Sequence, residues 1–351
     1  MIDVLGKFSQ FDLAWDLIEQ MPKPDHATFR IMFKRYVSAH KAQQAIDTYN
    51  DRMGAYSLKD ETSFTNLIDA LCEYRHIMDA EGLFKSSLHC YDTKLNNMML
   101  RGYSKIRWWK KCNEFWEEME RNGVAPDIHT YSIYMDIQTK CGKPWRAIKL
   151  YKEMKTNGIQ LDVAAYNTVV RAAGLAQGVD DAIQVYREMK DFGVEPNIVT
   201  YNTIVKLLCE EGRVRQAYRL LDRMPERGCV PDVITYNCMF GSLERPKEIL
   251  TLFERMEESG VSPRMDTYVM LLKKFGRWGL LRPIFIVWEK MKKHGVSPDE
   301  FAYSALIDAL MEKGMIDMAR KYEMEMLEKD LPVRSPKELG TKLSGRERDT
   351  E

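Results

Sequence analysis

The sequence predicts an all-α protein, an α-solenoid of about nine to ten stacked helical hairpins that repeat every 35 residues. Three observations predict it. Six tyrosines from Tyr131 to Tyr303 are separated by 35, 35, 35, 32 and 35 residues. Six glycines from Gly123 to Gly295 repeat the same intervals, and a series of methionines keeps the same rhythm. Three residue types with one period and one shared three-residue deletion indicate repetition of a single structural unit.

The two helices of each unit are predicted from helix start and stop signals. In the unit 198–232, we expect Thr200 to cap a first helix with the sequence YNTIVKLLCEEG, which Gly212 ends. The second helix, RQAYRLLDRMPERG, has apolar residues at helical spacing and is closed by Gly228. One such hairpin cannot bury its apolar face alone, so neighbouring hairpins must stack, and the periodic Tyr, Leu, Ala and Met residues are predicted to form the core.

The same period divides the whole chain. Residues 1–25 form a partial N-terminal repeat, residues 26–334 nine repeats, and residues 335–351 a charged tail that we expect to be disordered. Met1 aligns inside a first helix, so we expect further repeats and a transit peptide to precede it. The repeat boundaries are 26–60, 61–92, 93–127, 128–162, 163–197, 198–232, 233–264, 265–299 and 300–334, and 61–92 and 233–264 are three residues short.

Composition excludes several classes of protein. Lys and Arg number 52, as do Asp and Glu, so the formal net charge is zero. Bulk positive charge therefore does not hold a nucleic acid, although a local basic groove remains compatible with the sequence. No apolar run approaches the ~18 residues of a membrane span. The seven cysteines contain no C-x-x-C pair, and we expect them to be free thiols.

The repeat VTYNTIVKLLCEEGRVRQAYRLLDRMPERGCVPD resembles the pentatricopeptide repeat family, as does IHTYSIYMDIQTKCGKPWRAIKLYKEMKTNGIQLD. The 34-residue tetratricopeptide repeat is the nearest alternative. Its W-x₂-L-G-x₂-Y signature is missing, whereas Tyr-Asn-Thr and Pro-Asp recur. The uniform period is similar to the plain P class of plant organellar members. This resemblance implies a right-handed superhelix that binds single-stranded RNA in mitochondria, with plastids as the alternative.

The resemblance also implies which residues contact bases. In the family, the fifth residue of a repeat reads one base and the last residue of the repeat is its partner. An Asn amide offers a donor and an acceptor, and a Ser or Thr hydroxyl offers one rotatable group. Mapped on this sequence, the pairs are Thr65 with Asp92, Asn97 with Asp127, Ser132 with Asp162, Asn167 with Asn197, and Asn202 with Asp232. By family preference these five pairs imply, in the same order, the bases G, U, a purine with G preferred, C and U. Asn237 is a further candidate, but its partner Arg264 departs from the usual code, so no base is assigned.

Other side chains complete the predicted interface. The second residue of each repeat is expected to pack between bases, and Ala164, Val199 and Ile234 suit that role, whereas Lys94, His129 and Asp266 do not. Five cations farther along the first helices are candidates for phosphate contacts: Arg101, Lys105, Lys140, Arg171 and Lys206. Two alternatives stay open. In the first, the asparagines form only local hydrogen bonds near the helix starts. In the second, the cations belong to a solvated face of mixed charge, since Asp69, Glu73 and Asp136 occupy equivalent positions.

Catalytic and cofactor motifs are missing from the sequence. It contains no P-loop, no G-x-G-x-x-G, no H-E-x-x-H and no zinc-deaminase signature. We therefore predict a monomeric non-enzyme without cofactor or metal that acts in organellar RNA processing, stabilisation, splicing or translation. Its predicted partner is single-stranded RNA, with ribosomal or RNA-processing proteins as further candidates and no membrane. The alternative is a structural solenoid, such as a subunit associated with an organellar ribosome.

Overall fold

The computed structural model describes residues 1–87, 92–329 and 331–332, and every regular element in those ranges is helical. The predicted tail 335–351 lies outside the described residues. The chain divides into two compact units, Met1–Glu195 and Pro196–Glu351, which are described separately.

The first unit contains twelve α-helices among its described residues. They are α1 (Ile2–Lys7), α2 (Phe11–Gln20), α3 (His26–Ser38), α4 (Ala42–Asp47), α5 (Glu61–Glu73), α6 (Ile77–Ser86), α7 (Thr93–Lys105), α8 (Trp109–Arg121), α9 (Ile128–Lys140), α10 (Pro144–Thr156), α11 (Val163–Gln177) and α12 (Val179–Asp191). Helix α4 continues as a π-helical turn, Thr48–Arg52, and a 3₁₀ turn, Met53–Tyr56.

These helices pack as a series of hairpins. Each even-numbered helix packs against the odd-numbered helix before it, and α3, α5, α7, α9 and α11 contact one another in succession. The periodic residues lie between the layers: Tyr131 and Tyr166 are buried, as are Met154 and Met189. The stacked hairpins and the core predicted from the period are therefore confirmed within this unit.

The second unit repeats the arrangement with eight α-helices in its described part. They are α13 (Ile198–Glu210), α14 (Val214–Arg223), α15 (Val233–Ser242), α16 (Pro246–Glu258), α17 (Met265–Arg277), α18 (Leu281–Lys293), α19 (Glu300–Glu312) and α20 (Ile316–Glu328). Helices α13, α15, α17 and α19 contact one another in order. Four periodic tyrosines anchor this core, all almost fully buried: Tyr201, Tyr236, Tyr268 and Tyr303.

The first helices begin one turn earlier than the sequence predicts. Asn197, and not Thr200, is the N-cap of α13, because its side chain accepts hydrogen bonds from the backbone N–H groups of Val199 and Thr200. The Thr200 hydroxyl oxygen instead accepts a hydrogen bond from the backbone N–H of Asn197 at 3.2 Å, which completes a capping box. Such a cap stabilises a helix by about 0.5–2 kcal/mol.

The last residue of a repeat caps the next first helix along most of the chain. Side-chain caps are formed by Asp25, Asp60, Asp92, Asp127, Asp162, Asn197, Asp232 and Asp299. Arg264 stands at the equivalent position before α17 and forms no side-chain cap. The carboxylate or amide that the family uses as a base-reading partner is therefore also a structural residue here.

The second helix of repeat 198–232 is shorter than predicted. The α-helix ends at Arg223, and Pro225–Arg227 form a separate 3₁₀ turn. Proline has no N–H to donate and its ring clashes with the preceding turn, so Pro225 interrupts the α-helix before Gly228. Gly228 still ends the segment with φ of 73°.

The three-residue deletion in repeat 233–264 shortens its first helix. Helix α15 has 10 residues, whereas α13 and α17 have 13. Its end is capped from the next repeat, because the Lys274 Nζ donates to the carbonyl oxygens of Phe240 at 2.8 Å and Gly241 at 2.7 Å. Burial lowers the pKa of Lys274, and the two carbonyls offset part of the desolvation cost of its ammonium.

We expect Lys274→Met to lower the free energy of unfolding by about 1–3 kcal/mol, because the two carbonyls of α15 lose their donor. The matched control is Lys247→Met, which removes an exposed lysine of α16 and should change stability by less than ~0.5 kcal/mol. Denaturant unfolding of both variants measures the difference, and equal losses would show that Lys274 does not cap α15.

Candidate nucleic-acid interface

The fifth residue of each repeat lies one turn inside a first helix, because the cap fixes where that helix begins. Of the six candidates, Thr65, Asn97 and Asn202 are buried. Ser132, Asn167 and Asn237 are half-buried. In chain order, Thr65, Asn97, Ser132, Asn167, Asn202 and Asn237 lie on α5, α7, α9, α11, α13 and α15, the first helices of their repeats.

Asn202 is hydrogen-bonded to the last residue of its own repeat and to the first helix of the next repeat. Its Nδ2 donates to the Oδ1 of Asp232 at 3.1 Å. The Thr235 hydroxyl donates to the Oδ1 of Asn202 at 2.5 Å. These two contacts fix which end of the amide is the donor, and they leave the second Nδ2 hydrogen and one Oδ1 lone pair for another partner.

Asn97 makes the equivalent contact to its predicted partner, with its Nδ2 donating to the Oδ1 of Asp127 at 3.2 Å. Its buried Oδ1 has no hydrogen-bond partner among the described residues. A buried polar atom without a partner carries a free-energy cost, which the Asn97 Oδ1 imposes on the folded chain. The sequence predicted both Asn–Asp pairs, and the structure brings both together.

The capping carboxylates are held in their ionised form. Burial acts to raise the pKa of Asp232, but hydrogen bonds from Thr235 and Asn202 outweigh it and the pKa is lowered from 3.8. The pKa of Asp127 is lowered in the same way by hydrogen bonds from Thr130 and Asn97. A charged acceptor forms a stronger hydrogen bond to the amide than a neutral one.

Two other predicted pairs are not joined in this way. In the described residues, no hydrogen bond joins Thr65 to Asp92 or Ser132 to Asp162, although both aspartates cap first helices. Asn167 and Asn197 belong to different compact units, so each is described by itself. Asn167 is half-buried on α11, and Asn197 is the exposed cap of α13.

Asn237 has a partner that the sequence analysis did not predict. Arg264 is exposed, and no hydrogen bond joins it to Asn237 among the described residues. Instead, the Asn237 Nδ2 donates to the Oδ2 of Asp266 at 3.4 Å, and the Thr267 hydroxyl donates to the Asn237 Oδ1 at 2.9 Å. The hydrogen bonds of Asn237 among the described residues thus run to Asp266 and Thr267 and not to Arg264. The role of Asp266 as a partner of Asn237 was overlooked, because Asp266 stands at the repeat position that is expected to pack between bases.

The second residues of the repeats are exposed on the first helices. Val199 and Ile234 are each 51% exposed, and Ala164 is exposed as well. Phe301, which the sequence analysis missed, holds the same position in repeat 300–334 and is 58% exposed. The Lys273 Nζ lies 5.5 Å from the centre of its ring. The sequence could have identified Phe301 from its position two residues before the periodic Tyr303.

The predicted phosphate-binding cations are largely paired with carboxylates. Lys105 contacts Glu73 at 2.5 Å. Asp136 contacts both Lys140 at 2.5 Å and Arg171 at 3.3 Å.

Farther along, Lys206 contacts Glu210 at 3.7 Å, whereas Arg101 is exposed and forms no ion pair with a described residue. Two of these pairs, Lys105 with Glu73 and Arg171 with Asp136, join equivalent positions of neighbouring repeats in the first unit. These pairs fit the mixed-charge face that the sequence left open as an alternative.

The shortened helix α15 borders a cavity of about 990 Å³ in the second unit. Lys206, Asn237, Lys274 and Arg277 are among the residues that line it. The missing turn of α15 explains its depth, since α13 and α17 on either side are three residues longer. The cavity places one base-reading candidate beside three cationic side chains.

Among the described residues, no group of three His, Cys, Asp or Glu side chains is arranged to hold a metal ion. No helix in the described ranges is long and apolar enough to span a membrane.

Comparisons with repeat families match most of the described helices. The matches are to the PPR repeat family over residues 92–137 and 196–245, the pentatricopeptide repeat domain over 149–211 and 244–278, and the PPR repeat over 62–88, 129–159, 266–296 and 301–331.

Two curated relatives from Arabidopsis thaliana are named as mitochondrial pentatricopeptide repeat-containing proteins. One is 62% identical over 350 residues, which cover 97% of this chain and 78% of the relative. The other is 32% identical over 159 residues, which cover 43% of this chain and 28% of that protein.

Among solved structures, the pentatricopeptide repeat protein PPR10 from maize is 24% identical, with a TM-score of 0.49. The alignment covers 95% of this chain and 54% of the maize protein, so the chain spans about half the length of that protein. A structure of PPR10 in complex with an 18-nt psaJ RNA element is 22% identical over the same shares, with a TM-score of 0.44.

The lowered pKa of Asp232 predicts an acid-dependent loss of stability. Its ionised form stabilises the fold above the unfolded pKa of 3.8, and this stabilisation is lost as the pH falls through the lower pKa of the folded state. Asp232→Asn keeps a good N-cap but removes the charge. We expect the variant to be less stable near neutral pH and the difference to shrink below pH 3.8.

Denaturant unfolding over a pH series measures this difference. Glu226→Gln, which neutralises an exposed side chain of the 3₁₀ turn, controls for the change in net charge. A difference between Asp232→Asn and wild type that stays constant with pH would contradict the assignment.

Proposed function

The chain belongs to the pentatricopeptide repeat family, and on that premise we propose that it binds single-stranded RNA with sequence selectivity, at about one base per repeat. The observation that carries the proposal is the contact of Asn97 with Asp127 and of Asn202 with Asp232, in each case between the fifth and the last residue of one repeat. In each pair a side chain that offers both a donor and an acceptor is held by an ionised carboxylate.

The mechanism follows from what these contacts leave unused. With one Nδ2 hydrogen of Asn202 held by Asp232 and one Oδ1 lone pair held by Thr235, a donor and an acceptor remain side by side. Adjacent donor and acceptor groups match the Watson–Crick edge of an unpaired base. The amide is already oriented, so it loses little conformational entropy on binding. Exposed Val199, Ile234 and Phe301 supply apolar surfaces between successive bases.

The order of the repeats supports a target sequence. Thr65, Asn97, Ser132, Asn167 and Asn202, with their partners at the repeat ends, correspond by family preference to G, U, G, C and U. The RNA runs 5′ to 3′ in the direction of the chain. Asn237 adds a further position, whose base the family preference does not assign.

The cellular role is proposed from the same resemblance. The relative with 62% identity is named as mitochondrial, which supports a mitochondrial location over a plastid one. The chain holds a transcript unpaired and thereby affects its processing, stability, splicing or translation. It acts without catalysis of its own, and any cleavage is supplied by a partner protein. A fluorescent fusion of the complete gene product tests the location.

A second candidate function is supported by the charge pairing in the first unit. Since Lys105, Lys140 and Arg171 are matched by carboxylates, that layer also suits a scaffold that binds proteins, such as a subunit associated with an organellar ribosome. Affinity purification with and without ribonuclease distinguishes the two. Association with ribosomal proteins that survives ribonuclease favours the scaffold.

We expect RNA oligomers containing G-U-G-C-U to bind more tightly than scrambled oligomers of the same composition. The reason is that each matched base contributes hydrogen bonds that a mismatched base leaves unmade. Titration at fixed salt measures both affinities. Equal affinity for the two sequences would contradict the proposed base assignments.

Asp136 is predicted to limit the electrostatic part of RNA binding, because it pairs with both Lys140 and Arg171. We expect Asp136→Asn to raise the affinity for RNA of any sequence. The slope of log affinity against log salt should become steeper by about 0.7 for each phosphate newly contacted. Glu195→Gln is the control, since it makes the same charge change at an exposed site away from α9. An unchanged slope in Asp136→Asn would show that these two cations do not meet phosphates.

A further inference from the structure

Repeat 233–264 does not end in an acidic residue, whereas the preceding repeat ends in Asp232. In repeat 198–232 the last residue, Asp232, caps α15 and accepts from Asn202. At the same position in repeat 233–264, Arg264 is exposed and forms no cap for α17. A guanidinium has no acceptor, so it cannot take the Nδ2 hydrogen of Asn237.

Two residues of the next helix replace the missing contacts. Asp266 divides its carboxylate: Oδ2 accepts from the Asn237 Nδ2 at 3.4 Å, and Oδ1 accepts from the backbone N–H of Thr267 at 3.0 Å. Asp232 likewise accepts both a backbone N–H, from Thr235, and the Nδ2 of Asn202. A carboxylate two residues farther along the chain therefore makes the same two kinds of contact.

The threonine contact occurs at the same repeat position, and joins the same types of atom, in both repeats. Thr235 and Thr267 are each the third residue of their repeats, and both are fully buried. Each donates its hydroxyl to the Oδ1 of the preceding asparagine, at 2.5 Å for Asn202 and 2.9 Å for Asn237. The two amides are thus held in the same orientation, with the nitrogen toward a carboxylate and the oxygen toward a hydroxyl.

The surroundings of Asn237 leave room for a nucleotide. Its side chain lines the cavity of about 990 Å³ that the shortened α15 opens, next to Lys206 and Arg277. Both cations are exposed and lie on the helices that border α15. A base that approaches Asn237 there has its phosphates near positive charge.

From these contacts we propose that Asp266, and not Arg264, is the positioning residue for Asn237, and that repeat 233–264 selects the same base as repeat 198–232. Asn237 contacts the base, and Asp266 acts through it by fixing the amide. This inference rests on the proposed RNA binding and extends it to a repeat whose final residue departs from the family pattern.

The test uses the full chain and RNA oligomers that differ only in the base facing Asn237 or only in the base facing Asn202. For wild type, we expect the same preferred base at both positions, with about a 10-fold preference, the size of one well-formed polar contact. Asp266→Ala should abolish the preference facing Asn237 and retain the preference facing Asn202. Arg264→Ala should retain both.

Asp266→Asn is the conservative variant, since its amide oxygen still accepts one hydrogen bond, and we expect it to recover part of the lost preference. Thermal unfolding of each variant separates a positioning role from a purely structural one, because a structural role would change stability without changing selectivity at one position. Loss of selectivity in Arg264→Ala but not in Asp266→Ala would overturn the inference. Selectivity facing Asn202 alone would also overturn it and leave the proposed function standing, whereas no selectivity at either position would refute that function itself.

Discussion

The hydrogen bonds at the start of most first helices are the contacts on which the rest of this molecule depends. A helix begins with backbone N–H groups that have no partner within the helix, and here the last side chain of the preceding repeat accepts from them. The carboxylates of Asp127 and Asp232 also accept from an asparagine of the preceding repeat. One side chain therefore sets where a helix begins and how a base-reading amide is oriented.

Departures from the repeat show how the same constraint is met by other residues. The three-residue deletion leaves the carbonyl end of α15 without its usual neighbours, and the ammonium of Lys274 supplies the donors. Arg264 cannot accept a hydrogen bond, and Asp266 supplies the carboxylate. In both places the substitute comes from α17, the helix that packs beside the shortened one. The charges of the first unit show a related balance, since carboxylates of neighbouring repeats pair with the cations of the same layer.

The period of the sequence was sufficient to predict the stacked hairpins, because tyrosine and methionine at fixed intervals mark the buried face of every helix. The pairs Asn97–Asp127 and Asn202–Asp232 followed from the resemblance to the family, which assigns both roles to fixed positions in the repeat. The sequence did not predict the contact of Asn237 with Asp266, because a carboxylate two residues away from the expected place reaches the same amide only through side-chain geometry. The cap at Asn197 was missed for a similar reason. Threonine is a residue type that is favoured as an N-cap, but Thr200 lies at the third helical position.

The claim that one carboxylate serves both the helix start and base selection is tested most directly with Asp232→Ser. Serine is as good an N-cap as aspartate but is too short and uncharged to hold Asn202 in the same way. The measurement is the ratio of affinities for two RNAs that differ only in the base facing Asn202, on a variant whose unfolding matches wild type. The account predicts that this ratio falls toward one. A ratio equal to that of wild type would show that the cap and base selection are independent.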